Sequence, residues 1–186
     1  MFLKEHARNI WACDFLCVRT LSFQTLYVFF LIRHASREIV HLRATAHPTA
    51  QWTAQQLTNA CYDREPPQYL IRDRDGIYGT EFCRRTRSLD IRQIRTPVRA
   101  PKANAIAERF AGTLRRECLD HVLIFNEQHL QKTVIEFAAY YNHHRPHRSL
   151  ALHPPCALAT ALVPPAGEVL AEPVLGGLHH VYKRAA

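Results

Sequence analysis

The sequence predicts an α/β fold, one mixed sheet with helices on both faces, and three features of the chain carry that prediction. Residues 10–43 hold closely spaced runs of apolar, aromatic and β-branched residues, the pattern of neighbouring strands. Beyond them short strand patterns alternate with helical ones, the rhythm of a crossover topology. After residue 103 the apolar positions recur every four residues, the period of a helix laid on a sheet. Together they give the order β-β-β-α-β-α-β-α-α.

Residues 10–18 (IWACDFLCV) and 26–32 (LYVFFLI) are apolar on both alternating faces, as central strands covered on both sides must be. Residues 38–43 (EIVHLR) make a third strand, joined to the second by a tight turn. Residues 49–63 have helix-forming composition, with Trp52, Leu57 and Cys61 near helical spacing and Thr49 placed as the N-cap. A short strand at 69–72 leads into the Asp75-Gly76 turn, and a helix over 80–88 precedes a strand around 91–94. Pro97 and Pro101 bracket a loop. Residues 103–120 then form an amphipathic helix that turns Ile106, Phe110, Leu114 and Cys118 to the sheet, and a further helix spans roughly residues 127–141. The composition next shifts to His, Arg and Pro, and the last two dozen residues, with Pro164, Pro165, Pro173 and Gly176-Gly177, read as a loosely ordered tail. The expected organisation is a stub (1–9), a core (10–155) and a Pro/Gly-containing tail (156–186).

A chain of 186 residues with 47% hydrophobic content can bury one sizeable core. Its 24 Lys+Arg against 16 Asp+Glu leave a formal charge of +8, which points to an acidic polymer as partner. The six cysteines contain no C-x-x-C pair, which argues against a zinc ribbon or disulfide framework, and they read as small core residues in reducing surroundings. The most apolar run, residues 21–32, includes Gln24 and is too short to span a bilayer, and the N-terminus shows no signal-peptide h-region. A soluble, unexported protein with no membrane partner is expected.

Asp14 falls in the middle of its strand, where Ile10, Ala12, Leu16 and Val18 share its face. Desolvating a lone carboxylate there costs several kcal/mol or more, so it requires a cation, either a metal or a neighbouring Arg. Asp73 directly follows a short strand, at the C-terminal end where strands of an α/β sheet present ligands. Asp75 is its rival, yet an Asp-Gly pair is a turn signal and its side chain is explained by bonding its own backbone. Glu108 comes early in the long helix, about 200° around from Phe110 at about 100° per residue, with Asn104 and Arg115 on its side. Two strand ends and a helix start can bring these three carboxylates to one point.

The segments WACDF, LIRDRDGIYGTEF, RTPVRAPKANAIAERFAGTLRREC and YYNHHRPHRSLALHPP resemble the successive signature blocks of insertion-sequence transposases with a retroviral-integrase-type catalytic core, the D,D-35-E class. The likeness runs from about Asn9 to Pro155 and is nearest to a bacterial subgroup that writes the second block as RDRD. Asp14, Asp73 and Glu108 fall on the three acidic positions of the class. The interval from Asp73 to Glu108 is one residue shorter than the class name implies; counted from Asp75 it would be three shorter, so the spacing favours Asp73. The resemblance implies a ribonuclease-H-like, five-stranded mixed sheet. It also implies that these catalytic carboxylates bind Mg²⁺ or Mn²⁺, two ions about 4 Å apart in the active complex. Water would cut the element's end to free a 3′-hydroxyl, and that hydroxyl would attack target DNA. The implied partners are DNA, as transposon ends and as target, and further copies of the chain assembled on it. The implied setting is a bacterial cytoplasm, at the nucleoid.

Arg95, Arg99 and Lys102 precede the Glu108 helix, and Asn104, Arg109, Arg115 and Arg116 lie along it. Such residues hold phosphates beside the carboxylates, with Arg99, Lys102, Asn104, Arg109, Arg115 and Arg116 as the candidate DNA contacts. His143, His144 and His147 lack nearby cysteines and cannot share one ion without an unusual loop. His144 and Arg148 lack the spacing of a tyrosine recombinase, whose tyrosine also follows that motif, whereas Tyr140 and Tyr141 precede it. The run Tyr141, Asn142, Arg145, Pro146, His147 is expected to tie the last core helix to the domain. Two alternatives compete: a catalytically idle DNA-binding remnant or regulator, and another ribonuclease-H-like nuclease. The presence of all three acids weighs against the first, and the run from ANAIAER to HRPHRSL against the second. Only nine residues precede Ile10, where the family carries a helix-turn-helix region, so the chain is expected to bind DNA through phosphates without reading its sequence.

Overall fold

The computed structural model describes residues 5–96, 104–156 and 167–185. Strands β1 (Ile10–Arg19), β2 (Thr25–Arg33) and β3 (Ile39–Thr45) come first. Their short connections leave only antiparallel pairing, with Asp14 opposite Phe30 and a bulge where β2 meets β3 between Leu31 and Ile32. Helix α1 (Ala50–Ala60) then carries the chain across the sheet. Thr49 caps it as expected, its hydroxyl accepting from the Trp52 amide. Strand β4 (Tyr69–Arg72) returns parallel to β1, and α2 (Thr80–Ser88) and β5 (Arg92–Arg95) repeat the move. The order is β3-β2-β1-β4-β5, and α3 (Ala105–Glu117) and α4 (Glu127–His143) complete the expected ribonuclease-H-like architecture.

Because strand side chains alternate, β1 and β2 feed two cores. On one face Trp11, Cys13, Phe29 and Leu31 pack against Leu57 and Ala60 of α1 and Phe82 of α2. On the other, Ile10, Ala12, Val28 and Phe30 meet Phe110 and Leu114 of α3 and Val134 and Phe137 of α4. The rings of Phe30 and Phe110 cross edge-on with centroids 4.8 Å apart, which seats α3 directly over the strand pair that carries Asp14. The six cysteines are all free. Cys17 departs from the core reading: it is exposed, on the part of β1 that has outrun its pairing with β4.

The run after α4 ties it down as expected. The Asn142 side chain bonds both the amide and the carbonyl of Ile39, each at 2.9 Å, and so pins α4 to β3. Arg145 makes a bidentate pair with Glu117 at the end of α3, with its Nε at 2.6 Å, and its guanidinium lies over the Tyr141 ring. His147 is buried edge-on against the same ring.

The tail expectation is corrected for residues 167–185. Strands β6 (Val169–Val174) and β7 (His179–Arg184) pair antiparallel, and Gly176 and Gly177, at φ 65° and 96°, supply the left-handed turn between them. The hairpin docks on α4: the Leu175 amide donates to Glu136 at 2.6 Å, and the His179 ring stacks on Tyr140 at 4.5 Å. Among the described residues no helix is long and apolar enough to cross a membrane.

Candidate active site

The parallel register of β1 and β4 sets Ala12 opposite Ile71, and both point into the core beneath α3 and α4. Asp73 follows directly on the end of β4, close enough for its charge to act on Asp14. Asp14 is half-buried; its Oδ1 accepts from the Phe15 amide at 2.8 Å, and its Oδ2 faces Asn104 Nδ2 at 3.5 Å. Burial, and then the charges of Asp73, Glu108 and Asp75, push its carboxyl up to about 6 against the lowering effect of the Phe15 amide. The charges of the other two sequence-derived acids therefore both reach Asp14.

Asp73 leaves the end of β4 with its Oδ1 accepting from the Asp75 amide at 3.1 Å. Asp75 does the turn work expected of it, its own Oδ1 accepting from the Ile77 amide at 2.9 Å. Glu108 stands in the first turn of α3 and is exposed, which follows from its place on the helix away from Phe110. Among the described residues no ion pair joins a cationic side chain to Asp14, Asp73 or Glu108. Nor does any group of three His, Cys, Asp or Glu side chains among them stand in metal-holding geometry.

The donor set fits a hard divalent cation. Its groups are carboxylate oxygens, the kind Mg²⁺ and Mn²⁺ prefer, and the half-buried member is raised by burial and like charge. Beside it, Oδ1 of the buried Asn104 has no hydrogen-bond partner.

The candidate DNA contacts divide. Arg99 and Lys102 lie outside the described residues. Arg109, Arg115 and Arg116 are exposed along α3, and Arg115 also donates to the Cys17 carbonyl at 3.0 Å, which ties α3 to β1. Asn104 does not stand on the surface: it is 5% exposed and its amide is turned to the Cys13 carbonyl and Asp14. The reason is its backbone, at φ −112° and ψ 20°, which places it before the helix, where helical angles no longer assign its direction. Arg72 was missed by sequence reasoning. Its buried guanidinium donates to Gln93 at 2.7 Å and to the Asp73 carbonyl at 2.9 Å, so it braces the peptide that carries the second acid. An arginine ending the otherwise apolar YLIR was the available signal.

Residues 89–155 match the family model described as the integrase core domain. The chain is 25% identical over 156 residues to the insertion element IS476 uncharacterized 39.2 kDa protein of Xanthomonas euvesicatoria, covering 81% of this chain. It spans 44% of that relative's length. Its fold is similar to a chain of the simian T-cell lymphotropic virus intasome in complex with PP2A regulatory subunit B56 gamma, at TM-score 0.66 and 16% identity, covering 96% of this chain and 67% of that one. It is similar too to the HTLV-2 integrase catalytic core domain in complex with magnesium, at TM-score 0.63 and 12% identity, covering 78% of this chain and 93% of that one. Residues 89–155 therefore match an integrase core domain, and the chain has the fold of integrase catalytic cores.

Proposed function

We propose that this chain, through residues 10–155, is the catalytic core of a DNA transposase, with Asp14, Asp73 and Glu108 as its metal-binding catalytic residues. The observation that carries the reading is that a half-buried Asp14, with no cationic partner among the described residues, lies within the fields of Asp73, just past β4, and Glu108, in the first turn of α3. Two Mg²⁺ or Mn²⁺ ions bound there would supply an activated attacking oxygen and stabilise the departing one in an in-line displacement at phosphorus. The chain's own residues prepare that step. The Phe15 amide and Asn104 orient the Asp14 carboxylate, and the turn at Asp75 together with Arg72 fixes Asp73. Arg109, next to Glu108 and exposed, would hold a phosphate of the scissile strand. Cleavage breaks a P–O bond at the element's end, and the freed 3′-hydroxyl attacks a phosphodiester of the target.

The magnesium of the HTLV-2 core supports the choice of cation, and the viral intasome supports reading this chain as one copy in an assembly on DNA. It would work where chromosomal DNA lies, in the bacterial cytoplasm.

The test is nicking of duplex DNA with and without Mg²⁺ or Mn²⁺. Asp14→Asn, Asp73→Asn and Glu108→Gln should each abolish cleavage with the circular dichroism spectrum retained, while Asp75→Asn, which keeps the turn bond, should stay within a few-fold of the parent. Full metal-dependent cleavage by any of the first three would overturn the assignment. An active Asp73→Asn beside a dead Asp75→Asn would exchange the roles of those two aspartates.

A further inference from the structure

We infer that an arginine-lined pocket between β4, α2 and β5 binds backbone phosphate of duplex DNA, extending the DNA path sideways from the carboxylates. The inference rests on the reading that the chain acts on DNA, and it adds a site apart from the three carboxylates.

The pocket has a volume of about 670 Å³ and is lined by Arg72, Arg74, Arg84, Arg87 and Arg95, with Asp75 as the carboxylate among its described lining residues. Arg84 is paired with Glu81. Arg72, Arg74, Arg87 and Arg95 form no ion pair among the described residues. Arg72 is only 4% exposed, and the groups around its guanidinium are neutral: the Gln93 amide oxygen, the Asp73 carbonyl and the face of the Tyr78 ring at 5.1 Å. Desolvated charge gathered with like charge is disfavoured unless an anion shares the space. The planar forks of guanidinium groups fit phosphate oxygens in pairs. Gly79 and Thr80, where α2 begins, form part of the same wall, and the amides of a first helical turn favour an anion as well.

The position points to DNA and away from a small anion. Arg72 adjoins Asp73 in the chain, and the sheet order runs from β1 through β4 to β5. A strand lying across Asp14 and Asp73 in that direction passes over the pocket. Adjacent strands are about 4.8 Å apart, one or two steps along a DNA strand at about 3.4 Å per charge. Arg74, Arg87 and Arg95 are exposed at the rim, where a backbone can reach them.

Fluorescence anisotropy of the full chain with a short duplex of arbitrary sequence, in EDTA across a salt series, tests the assignment. Arg87→Ala/Arg95→Ala should lower the salt slope by about two and weaken binding about thirtyfold at roughly 0.15 M salt, the effect of two lost phosphate contacts. Arg87→Lys/Arg95→Lys should restore the slope, since the charges remain. Arg43→Ala/Lys132→Ala, on β3 and α4 at the opposite edge of the sheet, should leave it unchanged. An unchanged slope in the Arg87→Ala/Arg95→Ala protein, or an equal loss in the β3/α4 pair, overturns the inference. If that variant loses calorimetric binding of inorganic phosphate while the duplex slope stays, the pocket is a small-anion site and the DNA assignment is wrong. Metal-dependent nicking by the unaltered chain is read separately, so failure of the catalytic reading would show there and not in the slope.

Discussion

Replacing Asp14 with Asn should make the metal-free protein more stable at neutral pH. In the folded chain the Asp14 carboxyl is raised from 3.8 to about 6, chiefly by burial and then by Asp73, Glu108 and Asp75. At about 1.4 kcal/mol per tenfold change in proton affinity, that rise corresponds to about 3 kcal/mol of folding free energy, and partial solvent screening brings the expected value to about 1–3 kcal/mol. The sign follows from the direction of the shift. Below 3.8 the carboxyl is protonated in folded and unfolded chains alike and costs nothing. As pH rises from 3.8 to about 6 the unfolded chain gives up its proton first, so the folded state loses stability, and above that range the loss is complete. Urea unfolding in EDTA at about pH 4 and about pH 7.5 gives the difference between Asp14→Asn and the parent at each pH. Any fixed cost of the new amide facing Asn104 Nδ2 appears at both pH values and cancels in the comparison. The variant's advantage should grow by about 1–3 kcal/mol between the two. An advantage that does not change with pH, or that shrinks toward neutrality, would refute the claim that Asp14 is an uncompensated charge.

The same charge should be relieved by metal: Mg²⁺ or Mn²⁺ at about a hundred times its dissociation constant should stabilise the parent by about 2.7 kcal/mol and Asp14→Asn by much less, read as a shift in thermal midpoint. Equal stabilisation of both proteins would place the ion elsewhere. Arg145→Ala should cost about 1–2 kcal/mol in chemical denaturation, because it removes a bidentate, partly exposed pair with Glu117 and the cover of the Tyr141 ring. A loss no larger than that of Arg84→Ala, whose pair with Glu81 is more exposed, would show that the α3–α4 tie contributes nothing.

The sequence by itself determined the elements of the core and singled out the three acids as candidates. The strands read correctly because β1 and β2 are buried on both faces and apolar at nearly every position, and α3 read correctly because Phe110, Leu114 and Cys118 repeat at the helical period. These are local signals, carried by neighbours in the chain. What they could not carry was contact between distant segments. That the charge of Asp73 reaches Asp14 depends on β4 pairing in parallel with β1, although a whole helix lies between them in sequence. Helical spacing put Asn104 on the same side as Glu108, but only the turn of the backbone before α3 decided that it is buried against β1 and serves Asp14. Residues 167–185 looked slack because Pro and Gly are read as breakers; the contacts of Leu175 and His179 with α4 hold them as a hairpin. Arg72 and Arg95 share one pocket because β4 and β5 pair in parallel, with those two residues opposite each other. Chain periodicity records which face a residue presents, and only tertiary packing settles what that face meets.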